Sequence, residues 1–421
     1  MHQLITALYV LVFLGMGLPA EIYAMSPLRA GVASECITPD EPLTMQGYGN
    51  RTVPFTGVHD DLFVRTVALE SEGQEALIIS LEVCMVGHWL WRMITDDIGR
   101  STGIPREHIL LNTSHTHGGP ALQDSLAWKV PSDSSPETIR YTNQLRQKIL
   151  STVEAARNAY QPARLGFGMG ETFVGINRRA QMADGEVRLE PDPSGPVDHS
   201  LPVIRIEDMT GRALAILFEQ STHGTVMGGK NLEVTGDWCG LASQYVEETW
   251  GQNIQAVFLS GAAGDVNPIH KNIEDLKSNR QYARTLGQWA GDEVMRVARD
   301  VSQFSGGPIQ GLQRVVNVPG KVPRETGVDG PDVPIRLSVL QIGNIVLTGA
   351  SGEIFSEIGM AVKNGSPYRH TIFLGNCNGY SGYVPTDDEY SRGGYEIEVS
   401  PVKSGGEAAI VSTLLTMLSE L

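Results

Sequence analysis

The stretch His108-Ile109-Leu110-Leu111-Asn112-Thr113-Ser114-His115-Thr116-His117-Gly118-Gly119-Pro120 decides how this chain reads. It opens as an apolar run of strand character and then breaks into polar residues, two histidines, two glycines and a proline. In an extended backbone, side chains two apart share a face, so His115 and His117 are expected to aim together beyond the strand end. Gly118, Gly119 and Pro120 then turn the chain away. Imidazole pairs at a strand end are one way to begin a zinc site. A lone His-x-His is more often one capping and one surface histidine, because so short a motif recurs by chance. The rest of the chain has to decide.

Working outward, four later segments repeat the form of an apolar strand running into a polar, glycine-rich cluster. Ala213 to Phe218 leads into Glu219-Gln220-Ser221-Thr222-His223-Gly224-Thr225. Ala256 to Leu259 leads into Ser260-Gly261-Ala262-Ala263-Gly264-Asp265-Val266-Asn267-Pro268. Ile345 to Leu347 leads into Thr348-Gly349-Ala350-Ser351-Gly352-Glu353, and Thr371 to Leu374 into Gly375-Asn376-Cys377-Asn378-Gly379-Tyr380-Ser381-Gly382-Tyr383. Helical spacing marks Leu241, Tyr245 and Trp250, then Tyr282, Leu286, Trp289 and Val294, and finally Ile410, Leu414, Met417, Leu418 and Leu421. The run Ala76 to Glu82 is nearly all apolar, as in a strand buried on both faces. Ligands of open α/β sheets sit beyond the carboxyl ends of strands. The fold expected is therefore α/β, a mixed β-sheet core flanked by helices, with one site at five strand ends. The proline-rich patch from Pro319 to Pro334 reads as a surface loop.

Composition narrows the partners. The 421 residues are 41% hydrophobic, enough for a large core, and carry a formal net charge of -16. With no basic run, nucleic acid is excluded as a partner. Leu4 to Leu14 is an apolar run followed by small residues up to Ala24. It reads as a secretory signal peptide over residues 1–24, too short for a membrane span. The expectation is a secreted or periplasmic protein whose mature part, residues 25–421, is a single domain with no transmembrane span. Cys36, Cys84, Cys239 and Cys377 form no Cys-x-x-Cys pair. A thiolate zinc site is not expected, and disulfides and free buried thiols both stay open. Asn112-Thr113-Ser114 and Asn364-Gly365-Ser366 match the glycosylation acceptor pattern, the first of them inside the expected site strand.

The ordered set of motifs resembles the neutral ceramidases, the zinc amidases that cleave N-acylsphingosine. Asn112 to Pro120 is similar to the family's strand-end motif. The resemblance runs on through Ile176-Asn177-Arg178, Thr222-His223-Gly224-Thr225, Gly264-Asp265-Val266-Asn267-Pro268, Gly352-Glu353-Ile354-Phe355 and Tyr380-Ser381-Gly382-Tyr383-Val384-Pro385-Thr386. Thr38-Pro39 and Met45-Gln46-Gly47-Tyr48-Gly49 fit the family's opening. The resemblance implies a Zn2+ held by His115, His223, Glu353 and a more labile Tyr383, with His117 and Arg178 binding or protonating substrate. Two imidazoles and a carboxylate leave a position open for water, as in catalytic zinc sites. Asn267 stands where the ceramidases carry a functional serine; an amide hydrogen-bonds but is no serine nucleophile. Full-size members add a C-terminal immunoglobulin-like domain, and the expectation here is the catalytic domain alone.

The function this implies is zinc-dependent hydrolysis of an N-acyl amide bond in a small-molecule or lipid substrate, ceramidase-like, with Asn267 and Arg178 at the substrate's polar head. The alternatives are another amide or ester substrate, or a non-catalytic binding protein on the same fold. Asp237 and Asp265 read either as supports for the ligand histidines or as a helix cap and a loop-amide acceptor. Arg178 is either a site residue or the partner of a surface acid. His59 and His270 read as loop histidines, and Glu357 as a solvated helix residue.

Overall fold

The structure is a computed structural model that describes residues 28–123, 135–251, 253–270, 275–325 and 327–421. The expected signal peptide and most of the polar insert at 132–135 lie outside the described residues. No described helix is long and apolar enough to cross a membrane.

A nine-stranded mixed sheet dominates. Its order is Gln255–Ser260, Ala213–Gln220, Ser200–Asp208, Gln161–Glu171, Leu28–Cys36, Phe63–Ser71, Gln74–Leu81 and Ile109–Thr113, with Phe304–Ser305 paired to Gln161–Glu171. A second sheet runs Ile309–Lys321, Asp329–Ile342, Ile345–Ala350 and His370–Leu374. Period-two alternation sorts the apolar residues of the large sheet into two faces. Leu110, Ile78, Leu217, Val257 and Leu259 pack against Leu340, Leu347, Ile372 and Leu374 of the second sheet. On the opposite face, Ile109, Leu111, Leu77 and Ile79 meet helices His88–Thr102 and Pro136–Asn158. Ile216, Phe218 and Phe258 meet helices Asp237–Trp250 and Leu276–Asp300. Helices Ser356–Gly365 and Gly406–Ser419 cover the outer face of the second sheet. The expected α/β class stands, as four layers in which two sheets share one core.

Within the two large sheets, three strand pairs are parallel, each with a helical crossover. Gln74–Leu81 pairs in parallel with Ile109–Thr113, Ala213–Gln220 with Gln255–Ser260, and Ile345–Ala350 with His370–Leu374. The helices His88–Thr102, Asp237–Trp250 and Ser356–Gly365 make the three connections. Every cluster singled out in the sequence follows a strand of one of these βαβ units, but the units belong to two sheets rather than one.

Their strand ends are drawn together by an asparagine. Ile109–Thr113 and Gln255–Ser260 are opposite edges of the large sheet. The Asn112 Oδ1 accepts from Ser260 N at 2.8 Å, and its Nδ2 donates to Ser260 O at 3.3 Å and Gly375 O at 2.7 Å. Ser80 Oγ donates to Phe258 O at 2.7 Å. The sheet curls until its edges meet at the mouth of the second sheet. Asn112 is fully buried, so the first glycosylation pattern is not accessible in the folded chain.

One expectation changes, and one open choice closes. Pro319 to Pro334 is no loop but the outer part of a long hairpin, with strands paired from Ile309↔Ile342 out to Lys321↔Asp329. Pro319, Pro331 and Pro334 lie on strands that are edge or outer segments, where a missing N–H is tolerated. The cysteines are all free, and Cys84, Cys239 and Cys377 are buried.

Two predictions follow from the packing. Asn112→Ala leaves the Ser260 amide and two carbonyls without partners in the core, a loss of about 3 kcal/mol or more, readable as a lower urea midpoint. Glu219 is the second case. It is buried, its Oε1 accepts from Ser221 at 2.9 Å, its Oε2 has no partner, and burial pushes its pKa from 4.5 up to about 8. The folded chain thus keeps a proton that the unfolded chain releases above 4.5. The stability tied to that proton is complete below about 4.5 and is lost as pH rises through about 8. Glu219→Gln is expected to flatten this decline, so urea midpoints of variant and parent diverge progressively from about pH 4.5 to about 8 and run parallel above it.

Candidate metal centre

The strand that carries the histidine pair ends at Thr113. His115 then takes a left-handed backbone, φ 57°, which a non-glycine residue adopts only when its surroundings hold it. The hold is visible: His115 N donates to Val83 O at 3.1 Å, and His117 N to Gly224 O at 2.9 Å. The two histidines converge, as expected, but by this turn and not by strand alternation.

His115 Nδ1 is 2.8 Å from Cys84 O, and His223 Nδ1 is 2.7 Å from Ala263 O. A backbone carbonyl only accepts, so each Nδ1 carries a proton, and each ring when neutral presents its Nε2 lone pair. His223 Nε2 lies 3.0 Å from Glu353 Oε2, and His115 Nε2 lies 3.2 Å from the same oxygen. His117 Nε2 stands 3.3 Å from His115 Nε2. Bond lengths of about 2.0–2.1 Å around a tetrahedral Zn2+ place donors about 3.3 Å apart. Acceptors converging at such spacing repel one another unless a cation fills the gap. His115, His223 and Glu353 are all fully or nearly fully buried, so water does not screen them. The donor set fits a zinc ion.

Burial opposes ionisation of Glu353, yet His115 and His223 hold it well below the usual carboxylate range. Burial and the nearby Arg178 lower His223 to about 4. Burial, then His115 and His223, hold His117 well below the ordinary imidazole value. Burial opposes the charge on His115 too, yet Cys84 and Glu353 hold it well above the ordinary imidazole value, so the carboxylate faces one cationic and two neutral imidazoles, and metal ligation would displace the His115 proton.

Arg178 comes from the strand Gly175–Gln181. Its Nη1 lies 3.3 Å from His223 Nε2 and donates to Asn267 Oδ1 at 3.2 Å; its Nη2 donates to Gly264 O at 2.8 Å and to Tyr383 OH at 3.1 Å. It is buried. Its acid partner, Glu396, is buried too, so the pair is no surface contact. All seven site residues expected from the sequence, His115, His117, Arg178, His223, Asn267, Glu353 and Tyr383, lie in one connected cluster. The aspartates do not touch the histidines. Asp237 accepts from the amides of Val226, Met227 and Trp238 at 2.8–3.1 Å. Asp265 accepts from Ser356 N at 2.8 Å and Asn177 Nδ2 at 3.0 Å. Carbonyls, which no sequence pattern marks, orient the rings instead. His59 pairs with Asp60, His270 stacks on Tyr282, and Glu357 is an exposed residue in the first turn of its helix.

Three neighbours escaped the sequence reading. Tyr380 OH donates to Glu353 Oε1 at 2.5 Å, leaving Oε2 to the imidazoles. Its signal was present, as the first of two tyrosines three apart. Tyr48 packs its ring edge on His117 at 4.8 Å, and Arg51 donates to the His117 carbonyl. Gly47, at φ 102°, passes so close that a Cβ there would strike the His117 ring. The glycine-flanked loop at Met45–Asn50 is therefore a wall of the site.

Residues 29–283 match the family model described as neutral/alkaline non-lysosomal ceramidase, N-terminal. The chain belongs to this ceramidase family. The matched stretch holds His115, His117, Arg178, His223 and Asn267; Glu353 and Tyr383 lie beyond it. Among relatives, neutral ceramidase A of Dictyostelium discoideum is 27% identical over 245 residues, 55% of this chain and 34% of that protein. Neutral ceramidase of Pseudomonas aeruginosa is 21% identical over 478 residues, 91% of this chain and 70% of that protein. The chain spans about a third of the length of the curated relatives it matches first. The crystal structure of the Pseudomonas aeruginosa neutral ceramidase superposes with a TM-score of 0.78 at 19% identity, covering 94% of this chain and 75% of that one. At that identity the superposition establishes the ceramidase fold.

In this ceramidase-family site Tyr380 fixes which carboxylate oxygen faces the imidazoles. Tyr380→Phe is expected to weaken zinc affinity by about 10–100-fold, measured by competition with a chromophoric chelator.

Proposed function

We propose that this protein is a zinc-dependent hydrolase that cleaves the N-acyl amide bond of a ceramide-like lipid. One observation carries the reading: in a ceramidase-family chain, the Nε2 atoms of His115 and His223 lie 3.2 and 3.0 Å from one oxygen, the Oε2 of Glu353. These three would hold the zinc, with Tyr383 as the fourth, more labile donor and His117 alongside. When bound, zinc supplies Lewis acidity, which lowers the pKa of water to about 7 and polarises a carbonyl.

The chain's own residues do the rest. His117 is partly buried and held neutral, with its Nδ1 unpartnered, and would relay a proton from the attacking water to the departing amine. Tyr383, whose hydroxyl is pinned by Arg178, stabilises negative charge developing on the carbonyl oxygen. Arg178 and Asn267 hold the polar head by hydrogen bonds. With Asn267 in place of a hydroxyl, no side-chain alcohol at that position attacks the carbonyl, which leaves water as the nucleophile. Asn267 also favours a second reading, an amide or ester whose head differs from that of N-acylsphingosine. We further propose that the protein is exported through its N-terminal segment.

Purified protein is expected to release sphingosine from a fluorescent N-acylsphingosine, to lose that activity to a chelator and to regain it with zinc. His115→Ala is expected to lose both bound zinc and at least about 100-fold in turnover. Activity that survives in metal-free His115→Ala protein rules out the zinc mechanism. A zinc-loaded protein inactive on N-acylsphingosine but active on simpler amides or esters selects the second reading.

A further inference from the structure

Arg178 sits 3.3 Å from His223 Nε2, a position that a divalent cation would make hostile to another positive charge. It is held there against that repulsion and against burial, which costs a charge dearly unless it is paired. Its partner comes from the far end of the chain. Glu396 lies on the short helix Tyr395–Val399 and is fully buried. Its Oε1 accepts from Arg178 Nε at 2.7 Å, and its Oε2 accepts from Arg179 Nη1 at 2.6 Å. Arg179 is in turn tied to Glu389 at 2.6 Å and to Gly393 O at 2.7 Å. One carboxylate thus bridges two consecutive arginines. Because it takes the Nε edge of Arg178, it leaves both Nη groups free to face His223, Asn267, Gly264 and Tyr383.

We propose that Glu396 is a positioning residue for substrate recognition, fixing the plane and charge of Arg178 so that its Nη groups meet the polar head. Without that carboxylate, the Nε edge loses its partner and the buried charge its counter-ion, so the guanidinium turns away from the cation. Glu396 itself contacts neither substrate nor metal. The inference rests on the hydrolase reading for its kinetic consequence, but not for its geometry.

The test is Glu396→Gln in the zinc-loaded full chain, with zinc content, Tm, kcat and KM measured. Zinc content is expected to match the parent, KM to rise about 10–100-fold and kcat to change little, the pattern of lost uniform binding. Added to Arg178→Gln, the Glu396→Gln change is expected to cost nothing further in KM, because both remove one device. Glu396→Asp, which draws the carboxylate back by one methylene, is expected to fall between parent and Gln variant and serves should the Gln variant not fold. A lowered Tm with unchanged KM, or additive effects with Arg178→Gln, overturns the proposal and leaves Glu396 a structural ion pair. A crystal structure of the variant is the arm that needs no activity. A guanidinium displaced from Tyr383 supports positioning, and one left in place overturns it. Parent protein inactive on every amide and ester would defeat the functional reading alone, since the crystal structure still decides this one.

Discussion

Two asparagine amides hold the site's strand ends together. Ile109–Thr113 is an edge strand, and an edge offers unpaired N–H and C=O groups that must find partners. Asn112 turns its amide on Ser260 and Gly375. Asn378, left-handed at φ 59°, supplies the other side: its Oδ1 accepts from Leu111 N and its Nδ2 donates to Ile109 O, both at 2.9 Å. A side-chain amide has the same donor and acceptor as a peptide group. The pair therefore stands in for a missing strand and fastens the large sheet to the second one. The loops carrying His115, Asn267 and Tyr383 emerge from those fastened ends.

Given that closure, the chemistry follows from topology. A parallel pair needs a crossover, and each crossover here is a helix that returns the chain to the same end of its sheet. Three such units therefore deliver their functional loops to one place, although they belong to different sheets. Carbonyls at the loop bases, Cys84 O and Ala263 O, then set the tautomers of both histidines. The same turns that end the strands also decide which nitrogen faces inward. Buried acids supply the remaining control: Glu353 at the centre, and Glu396 behind the arginine that approaches it.

Much of this was legible in the sequence. Apolar runs that stop abruptly at His, Asn, Glu or Tyr are visible without coordinates, and five of them named the strand ends of the site. The candidate ligands came from the resemblance of the ordered motifs to the neutral ceramidases, and His115, His223 and Glu353 do lie together. What escaped was whatever depends on a distant backbone. His115 turns left-handed because Val83 and Gly224 hold the chain on either side of it, and neither is near it in sequence. Asp237 and Asp265 are the right chemical type to orient histidines, but the amides of Val226 and Ser356 claimed them first. The prolines between 319 and 334 suggested a loop because local propensity disfavours strands. Cross-strand pairing along a long hairpin overrode that preference, as tertiary context does for strand propensity generally.

The three-unit construction also gives the centre a role as a checkpoint. His223 and Glu353 meet across 130 positions of chain, and Asn112 and Gly375 across 263. Contacts so far apart in sequence form late, after long loops have closed. A half-formed chain has single histidines but no pocket, and holds a metal ion only weakly. On the proposed zinc reading, a chain with all three units docked would bind tightly, and the free energy of binding would accrue to that state alone. Captured metal would then act as a latch on complete assembly, resisting the proteolysis that finds partly open chains.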